Sequence, residues 1–568
     1  MDEALPDAPT AEAMKWAREM LRRGRPADAV ATYRLVLARE PDHFAARLNL
    51  GTALVELGRL DESEEALVLA GRLRPDHHGP FINLGHVYRR RDRPAEAARF
   101  FREALARSPS VAVVHQSLGS AYREIGRLDD AIACYRSALE LDPGLHRAHS
   151  NLVYLLYYHP DFGPEAVLAE HRQWAERHAR PLYPAAPLHT NDADPDRRIR
   201  VGYVSPDLRN HALGLYIEPV IAGHDREGFE IFCYSDAARP DDVTERIRGH
   251  TGAWRETRGT PDEQLAALIR TDRIDVLVDL TLHMAGNRLT TFSRRPAPVQ
   301  VTYMAYPGTS GMEAVDYKIT DAHLDPPGLT EHHHTERLLR LPETYWCYRP
   351  PEDCPEVSPL PMATTGGGLL TFGALNAFAK VNPAVVSLWT RVLAATPGSR
   401  LLVLIAGGER DNQHAREMFR RAGVADDRLE LLERRPRAEF LRYFHRVDVS
   451  LDPFPYNGHT TTLDSLWMGV PAVTLEGHSA VGRAGVSILT NLDATEWIAR
   501  TPDEYVAKAA AFACNPIVLA DVRANLRRKM AASPLCDAQR LTHNIERLYR
   551  EAWREWCQST GKRGGHSK

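Results

Sequence analysis

The run Asp452-Pro-Phe-Pro-Tyr-Asn-Gly-His459-Thr460-Thr461-Thr462-Leu-Asp464 sets a glycine, a histidine and three hydroxyls behind an apolar stretch, Val447–Leu451. A helical pattern follows through Met468. This order predicts a helix N-terminus at Gly458–Thr461, where backbone N–H groups lack helical partners and the dipole favours negative charge. With hydroxyls from Thr460 and Thr461, such a corner suits a diphosphate. Asp464, one turn on, is placed to accept from ribose hydroxyls. A plain threonine cap is the other reading of the same residues. Lys380 follows a second apolar stretch, Leu369–Gly373, in a chain with seven lysines among 71 basic residues. A compact ammonium acts as a point charge on phosphate oxygens. The chain has 25 histidines, so position must select among them. His211 and His283 each follow an apolar stretch, Ile199–Ser205 and Ile274–Thr281. Imidazole titrates near neutrality, which suits a general base.

Two other clusters read differently. His332-His333-His334 invites a metal, but three consecutive side chains do not converge on one ion, so the run reads as a polar loop. Asp192-Ala193-Asp194 lies in a proline-rich loop rather than at a strand end, and reads as a solvated turn.

The elements that must position these residues are short apolar runs alternating with amphipathic ones. Ile199–Ser205, Phe229–Ser235, Ile274–Thr281 and Val299–Met304 read as strands. A second set is Leu369–Gly373, Arg400–Ile405, Arg428–Leu432, Val447–Leu451 and Ala472–Leu475. The alternation predicts two parallel sheets covered by helices, 199–355 and 369–535. Pro350–Gly368 is the linker between them, and residues 536–568 form a closing helix and tail. Two doubly wound domains joined by a linker place a cleft at the C-terminal strand ends.

The first quarter is repetitive. Pro41, Pro75, Pro109 and Pro143 recur every 34 residues, as do Gly51, Gly85 and Gly119. Small residues at Ala29, Ser63, Ala97 and Ala131 share the step, with bulky ones at Tyr33, Leu67, Phe101 and Tyr135. This is the pattern of the tetratricopeptide repeat, two antiparallel helices per unit, over residues 10–157. Stacked units form a superhelix with a concave groove. Asn49, Asn83 and Asn151 share one register. Amides there can grip a peptide backbone, or cap and bridge neighbouring helices. A helix over Pro164–Arg180 and a proline-rich linker complete residues 158–198.

The Asn457–Asp464 string, followed by Leu466–Pro471, resembles the uridine-diphosphate site of the O-linked N-acetylglucosamine transferases and the related plant SPINDLY proteins. So do Arg200–Asp207 with Asn210 and His211, and Arg295–Gln300 leading into Tyr306–Gly311. Phe372–Asn376, with Lys380 and Pro383, resembles their lysine loop. The resemblance runs from about Ile199 to Trp556. It implies an all-α tetratricopeptide-repeat superhelix followed by an α/β GT-B fold of two Rossmann-like domains. It further implies inverting, metal-independent transfer of N-acetylglucosamine from UDP-GlcNAc to Ser or Thr of a polypeptide, without a cofactor.

On that basis His211 acts on the acceptor side, as base or essential residue, and His283 orients sugar or acceptor. Lys380, Asn376, Arg437, Phe440, His459, Thr460, Thr461, Asp464, Pro307 and Gly308 surround the nucleotide sugar. Arg437 and Phe440 stand where the animal enzymes present a lysine and a histidine to the base. Asn49, Asn83 and Asn151 would line the peptide groove. The animal enzymes carry a long domain between their catalytic halves, and here the join is Pro350–Gly368. Two alternatives stay open: a protein O-fucosyltransferase of the same fold using GDP-fucose, and a non-catalytic repeat scaffold.

Composition narrows the classes. Basic and acidic residues nearly balance, 71 against 75, for a net charge of −4. A nucleic-acid binder would carry a basic excess. Met1–Met20 has no apolar core of a leader, no run approaches the length of a membrane span, and the seven cysteines form no C-x-x-C pair. These features lead to the expectation of a reducing, cytoplasmic setting.

Overall fold

The computed structural model describes residues 8–186, 189–364 and 368–564. Met1–Asp7, Pro187 and Leu188 of the first linker, 365–367 of the second and the 565–568 tail lie outside the described residues. The chain divides into two compact units, 1–148 with 405–418, and 149–404 with 419–568.

Besides the segment 405–418, the first unit is four helix pairs. They are Thr10–Arg22 with Pro26–Arg39, Phe44–Glu56 with Leu60–Leu73, Gly79–Arg90 with Pro94–Arg107, and Ala112–Glu124 with Leu128–Leu141. The ladders explain the packing. A Cβ on Gly51 would lie 2.5 Å from Leu67 Cγ, one on Gly85 2.5 Å from Phe101 Cε1, and one on Gly119 2.8 Å from Tyr135 Cε1. Each glycine is thus the socket for the bulky residue of its paired helix. Ala29, Ser63, Ala97 and Ala131 are wholly buried at the same seams. Each ladder proline follows the end of a second helix and prevents its continuation. The repeat unit closes at Ala148 rather than at 157. The next helix, His146–Leu156, sends Val153 into a core shared with Trp174, Val204 and Leu277 of the second unit. Asn151 therefore belongs to a different unit from Asn49 and Asn83. Asn83 Nδ2 donates to Thr52 Oγ1 at 2.9 Å, bridging adjacent helices.

The second unit holds two sheets. The first comprises β1 (Ile199–Ser205), β2 (Phe229–Ser235), β3 (Ala253–Glu256), β4 (Val276–Asp279), β5 (Val299–Thr302), β6 (Tyr317–Asp321) and β7 (Arg337–Leu341). Their order is β3-β2-β1-β4-β5-β6-β7, and every pairing is parallel. The second comprises β8 (Thr371–Ala374), β9 (Arg400–Ile405), β10 (Leu429–Glu433), β11 (Val449–Leu451), β12 (Ala472–Leu475) and β13 (Ile498–Ala499), in the order β10-β9-β8-β11-β12-β13. Strand order reverses between β1 and β4 in one sheet and between β8 and β11 in the other. Those reversals open the crevices in which such folds bind ligands.

Sequence periodicity misses β3, β6, β7 and β13. β3 and β7 are edge strands with charged residues, and β13 is two residues long. β6 is polar for a different reason. Its Lys318 Nζ donates to Asp325 and to Pro307 O, both at 3.0 Å, and Asp321 accepts from Ser487 Oγ at 2.6 Å. The Ser487 bond joins the two α/β domains. The helix predicted over Pro164–Arg180 is α-helical only to Trp174, then loosens into a π turn and a 3₁₀ turn. The last helix, Ala538–Gly564, returns to the first α/β domain. Its Tyr549 and Trp553 are buried, and Trp553 Nε1 donates to Asp194 O at 3.0 Å.

Candidate active site

Three loops at the two strand-order reversals, after β1, β8 and β11, carry the site. The β11 loop is organised by Asp452, whose carboxylate accepts from Gly458 N at 2.6 Å and Thr474 Oγ1 at 2.8 Å. Gly458 is required by space, because a Cβ there would lie 2.3 Å from Thr462 Oγ1 and 2.9 Å from Asn376 Oδ1. The helix Thr460–Trp467 then starts where the sequence places it. Its first amides are left open at the crevice, and His459 provides no side-chain cap.

Lys380, in a 3₁₀ turn after β8, reaches this corner from the other side of the reversal. Its Nζ donates to Asn457 O at 2.6 Å and lies 4.2 Å from the centre of the Tyr456 ring. Burial pulls the ammonium's pKa down, and the Asp452 carboxylate opposes that pull. Thr461 Oγ1 donates to Asn376 Oδ1 at 2.6 Å, tying the helix start to the β8 loop. Lys380, Asn376, His459, Thr460 and Thr461 therefore converge on one helix terminus.

His459 is enclosed, its ring stacked on Tyr456 at 5.1 Å and tilted against Trp346 at 5.4 Å. Burial, with the Lys380 charge, holds it well below the usual imidazole range, so the ring is neutral. Its Nε2 is buried without a protein partner, as is Arg437 Nε. Arg437 pairs with Asp464 through Nη2 at 2.5 Å and Nη1 at 3.1 Å, and Tyr348 Oη donates to Asp464 at 2.8 Å. Asp464 is wholly buried, so much of its accepting capacity is already engaged. In this structure it orients Arg437 rather than standing free for a sugar hydroxyl. Phe440 is half-buried and turns its ring edge-on to Phe444 at 5.7 Å, against the core of its own domain.

The first α/β domain contributes His211, the N-cap of the helix Ala212–Gly223. Its Nδ1 accepts from Leu213 N at 3.2 Å and lies 3.8 Å from Asp207 Oδ2. Burial lowers its pKa, Asp207 opposes that, and Arg209 adds to it. With Nδ1 accepting, the neutral ring carries its proton on Nε2, which then donates rather than accepts.

His283 does not reach a substrate position. It is buried, with Nε2 2.9 Å from Ser310 O, Nδ1 3.3 Å from Ser150 Oγ, and its ring edge-on to His171 and Trp174. The helix Pro164–Trp174 covers this strand end, an arrangement periodicity within β4 does not reveal. Pro307 and Gly308 are likewise buried. Pro307 O accepts from Lys318, and a Cβ on Gly308 would lie 2.3 Å from the Tyr306 ring and 2.7 Å from Tyr157 Oη. They shape the wall behind the cleft. Asp452, Tyr456, Trp346 and Tyr348 are the participants that sequence reasoning passed over. Of these, Asp452 carried a signal: a carboxylate immediately after an apolar strand.

Two parallel sheets with switch-point loops define a GT-B glycosyltransferase fold, here preceded by tetratricopeptide repeats. The family model for glycosyl transferase family 41 matches residues 140–349 and 367–545, and tetratricopeptide models match 14–78 and 81–143. The chain belongs to glycosyl transferase family 41. It is 37% identical over 420 residues to a Petunia hybrida protein named probable UDP-N-acetylglucosamine–peptide N-acetylglucosaminyltransferase SPINDLY, covering 72% of this chain and 44% of that protein. The Arabidopsis thaliana protein named SEC is 31% identical over 383 residues, 66% of this chain and 38% of its own length. The chain thus spans less than half the length of these relatives. A solved lysine-to-methionine mutant of the Thermobaculum terrenum O-GlcNAc transferase superposes with a TM-score of 0.85 at 38% identity, covering 91% of this chain and 98% of that one.

Proposed function

We propose that this protein transfers N-acetylglucosamine from UDP-GlcNAc to Ser or Thr hydroxyls of polypeptides, with inversion at the anomeric carbon. The observation that supports this most directly is the convergence of Lys380, Thr461 and the open start of the helix Thr460–Trp467 on one corner. Backbone amides, hydroxyls and one ammonium together match a diphosphate. The likeness to proteins named as N-acetylglucosaminyltransferases supports the choice of sugar and acceptor class.

In this reading the acceptor hydroxyl oxygen forms a bond to C1 of the sugar as the C1–O bond to the diphosphate breaks. The departing UDP gains charge, which Lys380 and the helix start offset. Preorganised charge at a leaving group is commonly the largest catalytic term. Arg437, oriented by Asp464, and Phe440 border the nucleoside end. The acceptor's proton leaves to His211 only when that ring carries its own proton on Nδ1, directed at Asp207. In the arrangement observed, Nε2 instead donates to sugar or acceptor.

Single-turnover transfer with UDP-GlcNAc, UDP-glucose and GDP-fucose on a Ser-containing peptide tests the proposal. Transfer from UDP-GlcNAc alone, insensitive to EDTA, is the expected result. Transfer from GDP-fucose alone would replace the donor, and none from any donor would favour a scaffold. His211→Ala is expected to lose about 10²–10⁴-fold in rate if it is the base. A loss below tenfold with an unchanged pH profile would reduce His211 to a positioning residue.

A further inference from the structure

His332-His333-His334 is not a uniform polar loop. His334 turns inward, its Nε2 2.8 Å from Asp325 Oδ1, beside the buried Lys318. The 3₁₀ turn Glu331–His333 keeps the other two rings together, 4.1 Å apart and tilted 58°, with His332 exposed and His333 mostly covered. Both point at Glu165, in the first turn of the helix Pro164–Trp174. His333 Nε2 lies 3.5 Å and His332 Nε2 3.9 Å from Glu165 Oε1. All three ligand atoms fall within 4.8 Å of one another. Two imidazoles and a carboxylate on about 2.1 Å bonds stand roughly 3.4 Å apart around a tetrahedral ion. The observed spacings exceed that by amounts that small side-chain rotations remove. Glu331, the other nearby carboxylate, is turned away toward Arg340 and Gly328 N.

We propose that Glu165, His332 and His333 form a surface site for a divalent transition metal, zinc above all, with the fourth position open to water. Two imidazoles and one carboxylate suit zinc and its neighbours, whereas magnesium and calcium prefer all-oxygen shells. The site is separate from the diphosphate corner and supplies nothing to transfer. It joins the helix that covers His283 to the turn that leads, through His334, Asp325 and Lys318, to the carbonyl of Pro307. A bound ion would pin that helix to that turn and raise the thermal stability of the α/β unit.

The test uses the full-length chain, with Zn²⁺ titrated against a chromophoric chelator in excess Mg²⁺, and Co²⁺ as a spectroscopic probe. One tight equivalent of zinc is expected, with a tetrahedral Co²⁺ spectrum and a rise in Tm. Glu165→Gln, His332→Ala and His333→Ala should each weaken that equivalent at least tenfold and abolish the Tm rise. Glu165 and His332 are exposed and His333 is mostly covered, so circular dichroism is used to check that each variant folds, and Glu165→Gln and His332→Ala carry the test if His333→Ala does not. The proposal is overturned if no tight equivalent binds, or if it persists in the His332→Ala/His333→Ala double variant.

Discussion

Lys380 sits where three effects meet: a buried setting, the Asn457 carbonyl 2.6 Å away, and the face of Tyr456. Burial makes the ammonium costly unless an anion shares its environment, so a diphosphate there gains a strong, charge-assisted contact. Lys380→Ala should therefore weaken UDP binding by about 1.5–3 kcal/mol, roughly 10- to 100-fold. Calorimetric titration reads it, and unchanged affinity would remove Lys380 from the diphosphate site. Position rather than residue type separates the two candidate histidines. His211 is more than one-third exposed at a helix start, whereas His283 is sealed by partners on both ring nitrogens.

At the scale of elements, the repeat helices are spaced by their glycines. Gly85→Ala would drive a methyl to 2.5 Å from Phe101, and overpacking of this kind costs about 1–3 kcal/mol. Gly71→Ala is the control, since its nearest neighbour is 3.7 Å away and alanine favours a helix. Urea melts of the two variants should diverge, and equal midpoints would show that the seam yields.

The segment 405–418 belongs to the same unit and adds a titrating contact. Asp411 accepts from Ala95 N at 3.1 Å, but its Oδ2 is buried without a partner, as is Glu96 Oε2. Burial first, then Glu96, Asp92 and Glu124, push the Asp411 carboxyl up to about 7, with only the Ala95 amide opposing. A folded-state pKa above the unfolded one means that the folded chain binds the extra proton. Stability is therefore greatest below the usual carboxylate range, and falls as pH rises toward about 7. Asp411→Asn keeps the acceptor for Ala95 and removes the charge. Its melting temperature should exceed that of the parent at pH 8 and approach it at pH 5. A parallel pair of pH profiles would refute the assignment.

For the molecule as a whole, the last helix closes the core of the α/β unit. Leu541, Ile545, Leu548, Tyr549, Ala552 and Trp553 share one buried cluster with β1 and with Leu463 and Leu466 of the helix Thr460–Trp467. The C-terminal residues thus support both α/β domains. Trp553→Ala should cost about 3–5 kcal/mol, the range for removing a fully buried aromatic. Chemical denaturation of the α/β unit measures it, and a loss below 1 kcal/mol would show that this helix is only an appendage.

The repeat helices, most of the central strands and the helix start at Thr460 were legible in the sequence because each follows from local periodicity or chain neighbours. A 34-residue ladder needs no tertiary information, and neither does an apolar strand leading into Gly-His-Thr-Thr. The limits of that reading are equally physical. β6 is hidden because its polar residues are satisfied by partners outside the strand: Asp325 and Pro307 in the loops on either side of it, and Ser487 far along the chain. Nothing local distinguishes His283 from His211, since one is sealed by a helix more than a hundred residues earlier in the chain. Asp464 carries the right residue type at the right turn, yet Arg437 and Tyr348 decide how much of it remains to accept a ligand. Local pattern determines which residues stand at a strand or helix end, and tertiary packing decides which of them keep an unpaired polar atom there.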